Sequence, residues 1–391
     1  MKYPTDKLGS YIDILSGFAF KSKDFTESGV PVIKIKNITP PSVTLEDLSF
    51  VSEEIAEQQR KFLLQSDDVL IALTGSHINQ MASVVGRVAR VKYDVPSLLN
   101  QRVGKITVSN PQKANIDYIY YYLSQDSIKV KLATKAGGAA NQANISPSDV
   151  KNLTVPFPDI QIQNTIAAIL SSYDHLIENN QKQIKLLEEA AHRLYKEWFI
   201  DLRFPGHETT PIHDGIPKGW MLGTMGQVAE FKRGKTITKS QVKEGTIPVV
   251  AGGLEPAYFH KIANTKAPVV TVSGSGANAG YTRMYHVDVF ASDCSFADHN
   301  STPYLEFAFC ALQEEKQTLK NMQKGSAQPH VYAKDINAIP IIIPDKLIMR
   351  RFCEIASQLF RKSGVLETQN MCLSQARDRL LPKLMSGEIE V

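Results

Sequence analysis

Apolar positions recur along this chain in two rhythms. From about Pro158 to Arg203, residues Ile166, Leu170, Tyr173, Ile177, Asn180, Ile184, Leu187, Ala191, Leu194 and Trp198 follow one another at alternating steps of four and three. That is the seam of a long coiled-coil helix. A shift of 186, which carries Pro158-Asp159 onto Pro344-Asp345, finds the seam again at Phe352, Ala356, Leu359, Ser363, Leu366, Asn370, Leu373, Arg377, Leu380 and Leu384. Before the first seam the rhythm is shorter. Val30 to Lys36, Val69 to Leu73 and Val84 to Val91 alternate or run apolar between Gly and Asn turns, and predict strands. Asn115 to about Thr134 has helical spacing, ended by Lys135-Ala136-Gly137-Gly138, and Leu153 to Pro158 reads as a closing strand.

The first globular half also has a copy. Leu222-Gly223 answers Leu8-Gly9, Gly245 to Val250 answers Gly29 to Ile33, and Ser273-Gly274-Ser275 answers Thr74-Gly75-Ser76. The offset drifts through 214, 217 and 199 before returning to 186, so the globular halves differ by insertions and deletions while the helices keep register. The pattern predicts an α+β chain of two similar mixed α/β domains joined by two long antiparallel coiled-coil helices, with an internal pseudo-two-fold repeat. The predicted boundaries are 1–157, 158–203, 204–343 and 344–391, with Phe199 to Gly219, rich in Pro, Gly and His, as a linker. Two copies are too few for a solenoid. With the axis near residues 182 and 368, Asn180 faces Asn370, where the asparagines either bond across the seam and set helix register or face solvent.

Composition narrows the class. A chain of 391 residues that is 43% hydrophobic can bury more than one core. A net charge of +4 permits nucleic acid as a partner without demanding it. Cys294, Cys310, Cys353 and Cys372 are far apart, which argues against a disulfide framework or a zinc cluster. No apolar run approaches the ~20 residues that cross a bilayer, so a cytoplasmic protein with no membrane partner is expected.

A helix of about 40 residues is about 60 Å long, more than the roughly 34 Å of one DNA turn. Domains mounted on its ends could reach two segments of a duplex. In the first domain the candidate DNA-binding side chains are Lys34, Lys36, Asn37, Thr74, Ser76, His77, Asn79, Gln80, Arg87, Arg90, Asn100, Gln101 and Arg102. In the second they are Lys232, Arg233, Lys235, Lys239, Ser273, Ser275, Asn278, Tyr281, Arg283, His299, Asn300, Lys324, Gln328 and His330. These types grip phosphates and read base edges, although each taken singly also suits a solvated surface.

Gly137-Gly138-Ala139-Ala140-Asn141-Gln142-Ala143-Asn144-Ile145-Ser146, then Val155 to Pro158, then Gln163 with Ile166 and Leu170, then Phe199 to Pro205, resemble the repeated regions of type I restriction-modification specificity subunits. The second copy runs from Gly325-Ser326-Ala327-Gln328 through Pro344 to Leu384-Met385-Ser386-Gly387-Glu388. The resemblance implies target-recognition domain, helix, target-recognition domain, helix, reading an asymmetric two-part site in double-stranded DNA. It implies a subunit with no catalytic centre, which recruits two methyltransferase subunits and an endonuclease and translocase subunit. The methyl donor, ATP and Mg²⁺ are then implied only for those partners. Asp345-Lys346-Leu347 replaces Asp159-Ile160-Gln161, and Arg350 replaces Asn164, so that elbow differs between copies.

Enzyme motifs are missing. Neither an Asn/Asp-Pro-Pro-aromatic motif nor a methyl-donor glycine loop is present, and no Gly-Lys-Ser/Thr follows Ser273 to Gly280. Glu314-Glu315-Lys316 matches a nuclease-like acid-x-Lys triplet but falls in a predicted helix, as a solvated face. No histidine spacing suggests a metal site. Three classes stay open: a sequence-reading adaptor, a stand-alone DNA-modifying enzyme, and a coiled-coil scaffold without DNA affinity. The helix faces around Lys182, Lys185, Glu189 and Arg193, and around Gln369, Gln375 and Arg379, are candidate partner surfaces.

Overall fold

A computed structural model describes residues 3–75, 85–135, 143–322 and 330–391. The chain forms two compact units, Met1–Ile177 with Cys372–Val391, and Glu178–Met371. Each takes in one globular half and a stretch of both long helices, Ile160–Tyr195 and Lys346–Ser386. The 4-3 spacing makes these helices, and Pro382, near the C-terminal end of the second, forgoes one backbone bond to the carbonyl four residues earlier.

In the first unit the strand Val69–Ala72, buried at every position, is flanked antiparallel by Val103–Val108 and Val88–Arg90, with Ile12–Ser16 outside. A second sheet sets Val30–Ile33 parallel to Ser97–Leu99 and antiparallel to Ser49–Val51. The helix predicted over 115–134 is two, Ile116–Ser124 and Asp126–Lys135, because Gln125 between them is extended. The seam residues Ile166 and Leu170 from the first long helix and Leu384 from the second close the core against Tyr118, Val150 and Val155. Each such side chain contributes ~1.5–3 kcal/mol by burial.

The second unit repeats this plan. Val269–Ser273 is flanked antiparallel by Cys294–Asp298 and Thr282–Tyr285, with Lys232–Arg233 outside. Ile247–Val250 runs parallel to Phe290–Ala291 and antiparallel to Tyr258–His260. Pro31 opposite Phe50 in the first unit is matched by Pro248 opposite Phe259 in the second. The predicted linker is not loose, because the first long helix ends in a π turn, Lys196–Ile200, that buries Trp198 and Phe199. Phe204 and Trp220 follow them inward, their rings 4.6 Å apart.

Within each unit the helix stretches run antiparallel. In the first, Asp174 pairs with Arg377 while Leu170 shares a core with Leu384. In the second, Asn180 bonds Asn370, and the Trp198 and Phe352 rings stand 6.1 Å apart. Glu314 is no solvated face. It lies 2.7 Å from His192 Nε2 and 3.5 Å from Lys196 Nζ, tying the helix Leu305–Glu314 to the first long helix.

Candidate nucleic-acid interface

Each unit frames one loop with the same set of backbone bonds. In the first, Ala72 N–H donates to Arg87 O (2.9 Å), Gly86 to Ala72 (2.8 Å), Leu73 to Arg102 (2.9 Å) and Ile145 to Leu73 (2.9 Å). In the second, Ser273 N–H donates to Tyr281 O (2.8 Å), Gly280 to Ser273 (2.9 Å), Gly274 to Asp293 (3.2 Å) and Val331 to Gly274 (3.1 Å). Gly86 and Gly280 both hold positive φ, +74° and +85°, where a side chain would be strained. Thr74 bridges Asn144, and Ser275 bridges His330.

These bonds correct two alignments read from residue likeness. Thr74 answers Ser275, an offset of 201 and not 199. Leu8 answers Met225, an offset of 217 and not 214, because Leu8 N–H meets Leu153 O while Met225 N–H meets Ile339 O, at 2.9 Å each. Two-residue similarity is weaker evidence of equivalence than the hydrogen bonds that define a backbone position.

In the first unit several predicted residues lie inside the fold. Asn37 is 1% exposed, its Oδ1 accepting from Lys34 N–H and its Nδ2 donating to Glu46 O, so it shapes a turn and offers no surface. Arg90 is buried, donating to Asp117 at 2.6 Å over the ring of Tyr120, and so joins sheet to helix instead of facing outward. Lys34 donates to Ser49 Oγ at 2.8 Å above Phe25, and burial followed by Lys36 pushes its amine pKa down. Lys36 pairs with Asp47, both largely in solvent. Thr74 and Asn100 are buried, Gln101 and Arg102 exposed. Arg87 lines a cleft of about 400 Å³ with Thr39, Asp126 and Lys129. Ser76, His77, Asn79 and Gln80 lie outside the described residues, as does the Gly137 to Gln142 stretch.

In the second unit Lys232, Arg233, Lys235 and Lys239 are exposed on and after the edge strand. Ser273 is buried, its hydroxyl donating to Gly252 O at 3.1 Å. Asn278 sits in the turn Gly276–Asn278, and Tyr281 is exposed. Arg283 turns toward its own unit, donating to Leu254 O at 3.2 Å, 3.7 Å from Glu255 and over Tyr285. His299 lines a cleft of about 580 Å³ with His286, Glu306 and Arg361, and burial pushes His286 down to about 4. Asn300 is exposed, and Lys324 and Gln328 lie outside the described residues.

Asp293 was missed by sequence reasoning. It accepts from the Ser275 hydroxyl and walls a slot of about 180 Å³ with Arg233, Ser295, His330 and Tyr332. The His330 and Tyr332 rings stack at 5.8 Å. Lone acids carry no motif; only the equivalence with Arg102 marks this one. Among the described residues no group of three or more His, Cys, Asp or Glu side chains is placed to hold a metal ion. No helix among them is long and apolar enough to cross a membrane.

Comparison with known proteins agrees with this repeat. The family model for the type I restriction modification DNA specificity domain matches residues 2–189 and 217–370. The MjaIX type I restriction enzyme specificity subunit of Methanocaldococcus jannaschii is 28% identical over 306 residues, 70% of this chain and 69% of that one. The MjaVIII specificity subunit of the same organism is 29% identical over 188 residues, 48% of this chain and 43% of its own length. The crystal structure of the type I restriction-modification S subunit from M. genitalium shares the fold, with a TM-score of 0.59 and 20% identity over 98% of this chain and 96% of that one. With the family model matched in both halves, the chain belongs to the type I restriction-modification DNA specificity family, as a specificity subunit.

Proposed function

We propose that each unit of this chain reads one part of an asymmetric two-part site in double-stranded DNA. In this reading the chain supplies recognition to a complex whose chemistry belongs to other subunits. Two methyltransferase subunits bring the methyl donor, and an endonuclease and translocase subunit brings ATP and Mg²⁺. The observation that carries the reading is that two loop frames, matched bond for bond, present different side chains. Loops on a rigid frame suit recognition, and a shared backbone with different side chains suits two related but unequal half-sites. The basic run Lys232, Arg233 and Lys235 would add sequence-independent phosphate contacts. The outward helix positions Lys182, Lys185 and Arg379 are exposed and available to partner subunits.

The test is methylation sequencing in a host without other methyltransferases, expressing the chain with its methyltransferase subunit and each alone. Modification at one split, asymmetric motif only when both are present is the expected result. Modification by this chain alone would make it an enzyme. No modification and no DNA bound by the pair would favour the scaffold class.

A further inference from the structure

We propose that Arg102 and Asp293 are equivalent specificity-determining residues, a hydrogen-bond donor in one unit and an acceptor in the other. The inference rests on the DNA-reading function above and names where each unit reads. The two residues occupy one backbone position. The carbonyl of each accepts the N–H of the residue just before the loop, Leu73 in one case and Gly274 in the other. Each side chain also reaches the hydroxyl at the next position. Arg102 Nη1 donates to Thr74 Oγ1 at 3.5 Å, and Asp293 Oδ2 accepts from Ser275 Oγ. Hydroxyl and charge are thus kept as a pair, while the sign of the charge reverses.

The surroundings fit a reader at each place. Arg102 is exposed beside the Thr74–Asn144 bridge, where Asn144 Oδ1 is buried with no hydrogen-bond partner among the described residues. Asp293 lines its slot with Arg233, His330 and Tyr332. A guanidinium donates to the O6 and N7 acceptors of guanine, whereas a carboxylate accepts from the exocyclic amine of cytosine or adenine. The first unit therefore requires an acceptor-bearing base at this position and the second an amine-bearing one. The Ser275 hydroxyl holds the Asp293 carboxylate before DNA arrives, while Arg102 stands at the limit of hydrogen-bond distance from Thr74.

The experiment uses the complex of full chain and methyltransferase subunit, with methylation sequencing of wild type, Arg102→Gln and Asp293→Asn. Each variant is expected to relax or change one base position in one half of the motif, lowering discrimination there by about ten- to a hundredfold. The other half stays as in the wild type, and the two variants affect opposite halves. A wild-type motif retained in full by both variants, or modification reduced uniformly over all sites, overturns the assignment while leaving two-part recognition intact. A wild-type complex that yields no two-part motif overturns the recognition reading itself. Should Asp293→Asn fail to assemble, Asp293→Glu, which keeps an acceptor on a longer arm, is read by the same criteria.

Discussion

Asn180 donates from Nδ2 to Oδ1 of Asn370 at 2.9 Å, and also reaches Gln369 Oε1 at 3.2 Å, at a seam position where Asn180 is only 5% exposed. A polar pair among apolar layers costs stability and favours one register. Replacing both by leucine is expected to raise the unfolding free energy measured in urea by about 1 kcal/mol, while cysteine cross-linking across the seam reports more than one register. Greater stability with a single register would remove the register role.

Arg377 occupies another seam position and is only about one-fifth exposed at its side chain, paired with Asp174, which also accepts from Tyr121. Burial and the neighbouring carboxylate hold the Tyr121 phenol well above its usual range. Arg377→Met strands Asp174 and is expected to cost about 3 kcal/mol. Adding Asp174→Leu should recover part of it. Chemical denaturation of the two variants checks both.

Arg90 distinguishes a structural cation from a reading one. Its pair with Asp117 joins sheet to helix, with side-chain exposures of 11% and 39%. Arg90→Met is expected to destabilise by about 2 kcal/mol yet leave the methylated motif unchanged at permissive temperature. A changed motif would place Arg90 among the readers.

Glu188, Glu255 and Glu367 share a basin of about 550 Å³ with Arg283 and Lys316. Burial pushes the Glu367 carboxyl pKa up against the opposing pull of Arg283. The folded state therefore holds protons that the unfolded chain releases, and stability falls as pH rises from the unfolded value near 4.3 through the folded one. Glu367→Gln is expected to raise Tm at pH 7, with the gain shrinking toward pH 4. A gain independent of pH would assign it to packing instead.

The helices were legible because a mostly apolar seam repeats every seven residues, and the strand Val30–Ile33 because β-branched residues sit between Gly29 and a polar turn. What failed has physical causes. Gln125 breaks a helix without glycine or proline, so spacing alone does not reveal it. Phe199 and Phe204 lie in a segment whose prolines read as a linker, yet their rings bury with Trp198 and Trp220. Arg90 and Asn37 looked like DNA ligands because residue type carries no information about burial. Asp293 went unnoticed because its counterpart is a base, and the equivalence is written in backbone hydrogen bonds.

The paired frames also bear on how such a chain acquires a new preference. Ala72 accepts from Gly86 N–H and Ser273 from Gly280 N–H, and Leu73 and Gly274 make equivalent pairs of contacts, whichever side chains stand around them. The frame at the base of each loop is thus carried by main-chain atoms, which a substitution leaves in place. On the assignment proposed above, a substitution at Arg102 or Asp293 would change which base edge is addressed without a new fold having to be found. Either half of the target could then be varied independently, one side chain at a time, under that proposal.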